Sequence, residues 1–191
     1  MAIGMTARVV LGYREYAALP DDGRRYEILD GELSVTPAPS LDHQIILANL
    51  FRILDAHVRA RNLGIVLFAP LDVILTDANI VQPDLVFLDH ERMSRSSRRG
   101  VEGPPTLLVE VLSPGTTGVD RNVKRTLYAR EGVPFYWIVG PEARTLEAFR
   151  AEGSLSTFVM RASGRDPCRL PPFDDLPFVV EELWESLSPH P

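Results

Sequence analysis

Apolar residues return at three- and four-residue intervals through Ile45, Ile46, Ala48, Leu50, Ile53, Leu54 and Val58. That spacing predicts one long amphipathic helix over residues 41–62, with Ser40 or Asp42 positioned to cap it and Gly64 to stop it. Ahead of it, residues 25–29 and 32–35 alternate apolar and polar positions around Asp30-Gly31, a tight-hairpin signal because glycine accepts positive φ. Behind it, short apolar or alternating runs predict strands at 65–68, 71–75, 80–88, 106–112, 135–139, 145–149 and 155–160. A short helix is expected at 13–19, a second main helix at 119–131, ended by Gly132, and a short amphipathic helix at 179–187. Mixed strands with two main helices make an α/β or α+β sandwich the expected architecture.

Two of the predicted strands contain a carboxylate where the pattern calls for core. Asp84 precedes Leu85-Val86-Phe87-Leu88, and Glu110 follows Leu107-Leu108-Val109. An ionised carboxylate taken out of water must be neutralised, paired with a cation or bound to a metal. On the helix that follows, Asp120, Lys124 and Tyr128 stand four residues apart and share one stripe. If the two strands are neighbours, the Lys124 ammonium can reach back to the point where Asp84 and Glu110 meet. Two carboxylates and a lysine are the equipment for metal-assisted phosphodiester cleavage: the acids hold a hard cation such as Mg²⁺ or Mn²⁺, and the lysine orients an attacking water or offsets charge. The same residues also admit plainer roles. Glu110 can be a structural carboxylate paired with Lys124, Asp120 a first-turn acid favoured by the helix dipole, and Tyr128, Tyr136 and Trp137 core packing.

Composition narrows the class. With 191 residues, 45% of them hydrophobic, the chain can bury a sizeable core as one domain, expected over about 13–160 and followed by a proline-rich, acidic tail at 165–191. A lone cysteine, Cys168, excludes an internal disulfide and a multi-cysteine zinc cluster. No apolar run approaches the ~20 residues of a membrane span, and the first residues lack the long apolar stretch of a signal peptide, so a soluble cytoplasmic protein is expected. The net charge of −6 argues against non-specific nucleic-acid binding by the whole surface. Charge is uneven, however: residues 91–131 carry an excess of Lys and Arg, whereas residues 170–191 carry acids and neither Lys nor Arg. Arg92, Arg95, Arg98, Arg99, Arg121 and Arg125 are the candidate nucleic-acid contacts in that flank, and the polar segment 89–105 is a candidate mobile lid.

The ordered series Tyr26-Glu27-Ile28-Leu29-Asp30-Gly31-Glu32-Leu33, His43, Pro83-Asp84-Leu85, Glu110-Val111-Leu112-Ser113-Pro114, Lys124, Tyr128 and Tyr136-Trp137-Ile138-Val139 resembles the Uma family of restriction-endonuclease-like proteins, within the PD-(D/E)xK nuclease superfamily. The resemblance covers about residues 13–149. It implies a restriction-endonuclease-like fold, with a central mixed β-sheet flanked by helices and an N-terminal β-hairpin. It also implies a divalent metal at Asp84, Glu110 and Val111, catalysis by Asp84, Glu110 and Lys124, and hydrolysis of nucleic acid, DNA being the expected substrate. The simplest superfamily pattern has lysine two residues after the glutamate, but that position is Leu112 here, so Lys124 would stand in for it. His43 could overhang the site, and of Glu27 and Glu32, on successive hairpin strands, Glu32 is favoured to approach the metal. A homodimer would let paired basic flanks span a duplex. The competing function is a catalytically silent nucleic-acid-binding or protein-interaction module that keeps the fold.

Overall fold

The hairpin turn forms where the sequence places it: Asp30 at φ 51° and Gly31 at φ 77° take the left-handed conformations that a two-residue turn between right-twisted strands requires. The computed structural model describes residues 10–186, so the first residues of the chain and Leu187 of the expected last helix lie outside the described residues. In chain order the elements are α1 (Tyr13–Tyr16), β1 (Arg25–Leu29), β2 (Glu32–Thr36), α2 (Leu41–Ala60), β3 (Gly64–Phe68), β4 (Val73–Thr76), β5 (Asn79–Val81), β6 (Leu85–Asp89), α3 (His90–Met93), β7 (Ser96–Ser97), β8 (Gly100–Glu102) and β9 (Leu107–Val111). A π-helical turn (Val119–Lys124), α4 (Arg125–Arg130), β10 (Phe135–Gly140), β11 (Thr145–Glu152), β12 (Leu155–Ser163), β13 (Pro167–Leu170), β14 (Phe173–Val179) and a 3₁₀ turn (Val180–Trp184) follow. Ser40 caps α2, its hydroxyl accepting from the His43 amide at 3.2 Å.

The strands make two mixed six-stranded sheets, ordered β2-β1-β5-β4-β8-β7 and β12-β11-β10-β9-β6-β3, and β13 pairs with β14. The second sheet is the middle layer. Side-chain alternation along β9 sends Leu107, Val109 and Val111 into a core shared with α2 and the C-terminal elements, and sends Leu108 and Leu112 into a core shared with the first sheet and α4. Strands β6, with Val86 and Leu88, and β10, with Tyr136 and Ile138, alternate in the same way. A mixed central sheet covered on both faces is the architecture expected.

Three local expectations are corrected. The single strand predicted over 80–88 is two strands in different sheets, because β5 ends at Val81 and the chain crosses at residues 82–84 before β6 begins. Pro83, lacking an N–H to give to a ladder, is where the crossing occurs. The segment 89–105 is not a loose lid: α3 and the β7–β8 hairpin occupy it, and β8 joins the first sheet by parallel pairing with β4. The proline-rich tail is core rather than appendage, since Leu170, Phe173, Phe178, Val180, Leu183 and Trp184 are all buried. The Phe173 ring lies 4.9 Å from that of Phe87 and 5.9 Å from that of Trp137, centroid to centroid.

Phe173→Ala is therefore expected to cost about 3–5 kcal/mol, the usual range for emptying a large aromatic site. Urea denaturation measures it, and a loss under about 1 kcal/mol would mean that the C-terminal hairpin is dispensable to the core.

Candidate active site

The antiparallel register of β6 and β9 pairs Leu85 with Val109, so one further step sets Asp84 opposite Glu110. Both side chains share the side of Val86, Leu88 and Leu108, the face turned toward the first sheet and α4. The crossing at Pro83 leaves Asp84 at the seam between the sheets, and three elements bond to it there. Arg25 Nη1 of β1 donates to Oδ1 at 2.8 Å, the Val111 amide of β9 donates to Oδ2 at 2.8 Å, and His43 Nε2 of α2 lies 3.1 Å from Oδ2. Arg25 escaped the sequence reading, although its signal was present: it stands two residues from Glu27 on one alternating strand and shares that face.

Glu110 is met from above. Lys124 Nζ lies 2.9 Å from Glu110 Oε1, 2.9 Å from Glu27 Oε1 and 3.5 Å from Asp120 Oδ1, and the Tyr128 hydroxyl donates to Glu110 Oε1 at 2.9 Å. The π-helical turn sets Lys124 and Asp120 over the strand end, such widened turns being frequent at functional sites. Thus the structure brings together Glu27, His43, Asp84, Glu110, Val111, Asp120, Lys124 and Tyr128. Glu32 is not among them. It pairs with Leu29 at the exposed hairpin tip, two residues farther along the strand than Glu27, so Glu27 takes the place expected of Glu32. Around the cluster is a pocket of about 250 Å³, walled by residues 36–40 on one side and 113–116 on the other.

The arginine flank is arranged differently. Arg92 pairs with Asp89 at 2.8 Å, Arg95 donates to the Pro104 carbonyl at 2.9 Å, and Arg99 pairs with Glu102 at 2.5 Å. Arg98, like Arg99, lies between β7 and β8, at the far edge of the first sheet; β8 is three strand spacings, roughly 14 Å, from β1. Arg121 holds Glu147 at 2.6 Å, and the Arg125 guanidinium lies over the Phe149 ring at 5.2 Å. Cys168 is a free thiol away from the pocket. Tyr136 and Trp137 are core residues.

Burial raises the Glu110 carboxyl well above its ordinary range; Lys124 pulls it back only in part, while Asp120, Asp84 and Glu27 push it higher. Asp120 is raised as well, chiefly by burial. Asp84 moves the other way, because hydrogen bonds from His43, Arg25 and the Val111 amide outweigh its burial. Burial would discharge Lys124, but Glu110, Glu27 and Asp120 hold its ammonium charged far above the ordinary lysine range. Among the described residues no three His, Cys, Asp or Glu side chains are spaced to hold a metal ion by themselves. The donor set nevertheless suits a hard divalent ion that keeps several waters. Four carboxylates face two fixed cations, Arg25 and Lys124, a formal excess of two negative charges that the site otherwise relieves by driving Glu110 and Asp120 toward their protonated forms.

Comparison with known proteins gives the chain a family and its fold a relative. The Uma2 family, described as "Putative restriction endonuclease", matches residues 13–172. The chain belongs to that family. Among solved structures, one described as "a putative nuclease belonging to DUF820 from Anabaena variabilis ATCC 29413" superposes on this Uma2 chain with a TM-score of 0.75 at 17% identity, covering 91% of this chain and 97% of that one. At that identity the likeness speaks for the fold. Comparison with curated proteins gave no match. No helix of the described residues is long and apolar enough to cross a membrane.

Removing the buried ammonium tests the charge balance directly. Lys124→Met is expected to destabilise the metal-free chain by about 3 kcal/mol near neutral pH, since it strands buried carboxylates. Because Glu110 is raised, the folded chain holds a proton that the unfolded chain has released. That contribution is present below the unfolded value and lost as pH rises through the folded one. The deficit of Lys124→Met should therefore shrink as pH is lowered from neutrality and these raised acids take up protons. Denaturant melts across pH with chelator present measure it, and a pH-independent deficit would show that Lys124 acts through packing alone.

Proposed function

We propose that this chain is a metal-dependent endonuclease that hydrolyses phosphodiester bonds in DNA, with Asp84, Glu110 and the main chain of Val111 holding Mg²⁺ or Mn²⁺. The observation that supports this most is the convergence of Asp84, Glu110 and Lys124 from three separate elements on one pocket, within a family described as restriction endonucleases. A bound divalent cation would supply Lewis-acid polarisation of the scissile phosphate. The protein's own groups do the rest. Lys124, held charged by three carboxylates, stands where an ammonium can orient an attacking water or offset charge on the phosphate oxygens. Tyr128 donates to Glu110 and fixes its orientation, and its own proton is retained because burial and Glu110 raise the phenol. Arg25, His43 and the Val111 amide fix Asp84, the role of supporting groups that set a ligand's direction.

Asp84→Asn and Glu110→Gln are each expected to abolish both Mn²⁺ binding by calorimetry and cleavage of DNA. The thermal melt stays near wild type in Glu110→Gln, which removes an excess carboxylate, and falls in Asp84→Asn, which takes a stabilised anion from Arg25 and His43. Wild-type metal affinity in both variants would remove the metal assignment. Lys124→Met, assayed where melts show it folded, should bind Mn²⁺ yet cleave roughly 100-fold more slowly, the range usual for losing one positioned group that stabilises developing charge. Cleavage at the wild-type rate would leave Lys124 a structural counter-ion.

A further inference from the structure

The site pocket adjoins a second, larger space. A cleft of about 820 Å³ shares Ser40, His43, Ser113 and Pro114 with it and continues past Arg121 to the turn carrying Arg144. We propose, building on the nuclease reading above, that this cleft binds a few nucleotides of single-stranded nucleic acid beside the scissile phosphate, and that Arg144 and Arg121 contact its phosphates.

Three observations carry this. The first is depth. Asp84, Glu110 and Lys124 are only 2%, 4% and 5% exposed, so a phosphate reaches them only if its strand enters the pocket. The pocket walls contain Pro37, Pro39 and Pro114, whose rings restrict the backbone, and a double helix is too wide to pass between them. A single strand is narrow and flexible enough to carry a phosphate to that depth.

The second is the supply of donors. Arg121 and Arg144 are anchored, to Glu147 at 2.6 Å and Glu181 at 3.2 Å, yet their side chains remain 34% and 56% exposed. A guanidinium carries five N–H donors and these carboxylates engage only some of them, which leaves a pre-oriented fork for a phosphate. Asp42 and Glu142 also line the cleft, which keeps its charge near balance and suits a short strand rather than a long one. Leu112 and Pro141, both half-buried, offer apolar wall to a base.

The third is the place of the basic run in residues 92–99. A duplex footprint needs several phosphate contacts, and these arginines lie on another part of the surface, Arg98 and Arg99 at the far edge of the first sheet. The net charge of −6 points the same way.

The test is fluorescence anisotropy of the full chain with labelled oligothymidylate of about twelve nucleotides, within the site sizes of single-strand binders, and with a blunt duplex of the same length. Ca²⁺ replaces Mg²⁺ so that turnover does not compete. The single strand is expected to bind at least about tenfold more tightly than the duplex. Arg144→Gln should weaken that binding and lower the log–log salt slope by about 0.7, the increment for one phosphate of a single strand, with Mn²⁺ affinity and melting temperature unchanged. Equal or tighter duplex binding, or an unchanged slope in Arg144→Gln, would overturn the proposal. A parallel Mn²⁺ cleavage assay separates the two readings. Internal cleavage of the duplex as fast as of the single strand overturns the single-strand inference and keeps the nuclease. Single-strand binding that depends on Arg144 without any cleavage keeps the cleft and removes the nuclease, and no binding with no cleavage removes both.

Discussion

A buried ammonium needs matched charge, and Lys124 has it from Glu110, Glu27 and Asp120. No pair in this group could stay ionised alone, because desolvation of each charge is repaid only by several close opposite charges and hydrogen bonds. The constraint reaches into every layer. Glu27 comes from the first sheet, Glu110 from the second, and Asp120 and Lys124 from the turn that covers their seam. An error in the hairpin register, the β6–β9 register or the π-helical turn would strand a charge away from water. The network thus selects one arrangement of the layers, as well as preparing a site with too many carboxylates for its two fixed cations.

Asp84 plays the complementary part. The crossing at Pro83 places it at the joint of the two sheets, where Arg25, His43 and the Val111 amide each belong to a different element. Glu110 and Asp84 are thereby driven in opposite directions: one carboxyl toward its neutral form by crowding and burial, the other toward its anion by directed hydrogen bonds. Placing two carboxylates of unlike proton affinity face to face is a common arrangement where a cation or a proton must be exchanged. The salt-bridge network and the metal site proposed above draw on the same side chains, and the plainer reading of Glu110 as the partner of Lys124 describes the metal-free chain.

Much of this was legible in the sequence because it rests on local rules. The Asp30-Gly31 turn, the Ser40 cap and the length of α2 follow from turn chemistry, capping and a 3.6-residue period. Asp84 and Glu110 stood out as charges inside apolar runs, and Lys124 as the cation on the stripe facing them. What stayed hidden depends on partners distant in sequence. Apolar residues on both sides of Pro83 look like one strand, since period alone cannot say that two halves belong to different sheets. The facing of Glu27 and Glu32 needs the position of the hairpin over the pocket as well as its turn. The arginines of residues 92–99 form a basic run in the sequence, but Asp89, Glu102 and the Pro104 carbonyl take up Arg92, Arg99 and Arg95. In the C-terminal segment, Leu170, Phe173 and Phe178 follow neither period, so their burial had no pattern to announce it, whereas Val180, Leu183 and Trp184 keep the helical spacing from which a short amphipathic helix is expected.

Leu112 shows how the displaced lysine fits. Alternation along β9 puts residue 112 on the same face as Glu110, so a lysine there would rise into the space between the second sheet and α4. In this chain Leu112 packs against the apolar cluster that includes Leu127 and Tyr128. Lys124 comes from the helical side, and its ammonium meets Glu110 at 2.9 Å. Exchanging the strand position for the helix position moves the anchor but leaves the charge where the carboxylates need it. The cation that balances Glu110 and the hydroxyl that donates to it thus come from the same continuous stretch as Glu110 itself, residues 110–128, so the strand and the helix that follows it are tied by charge as well as by chain connection.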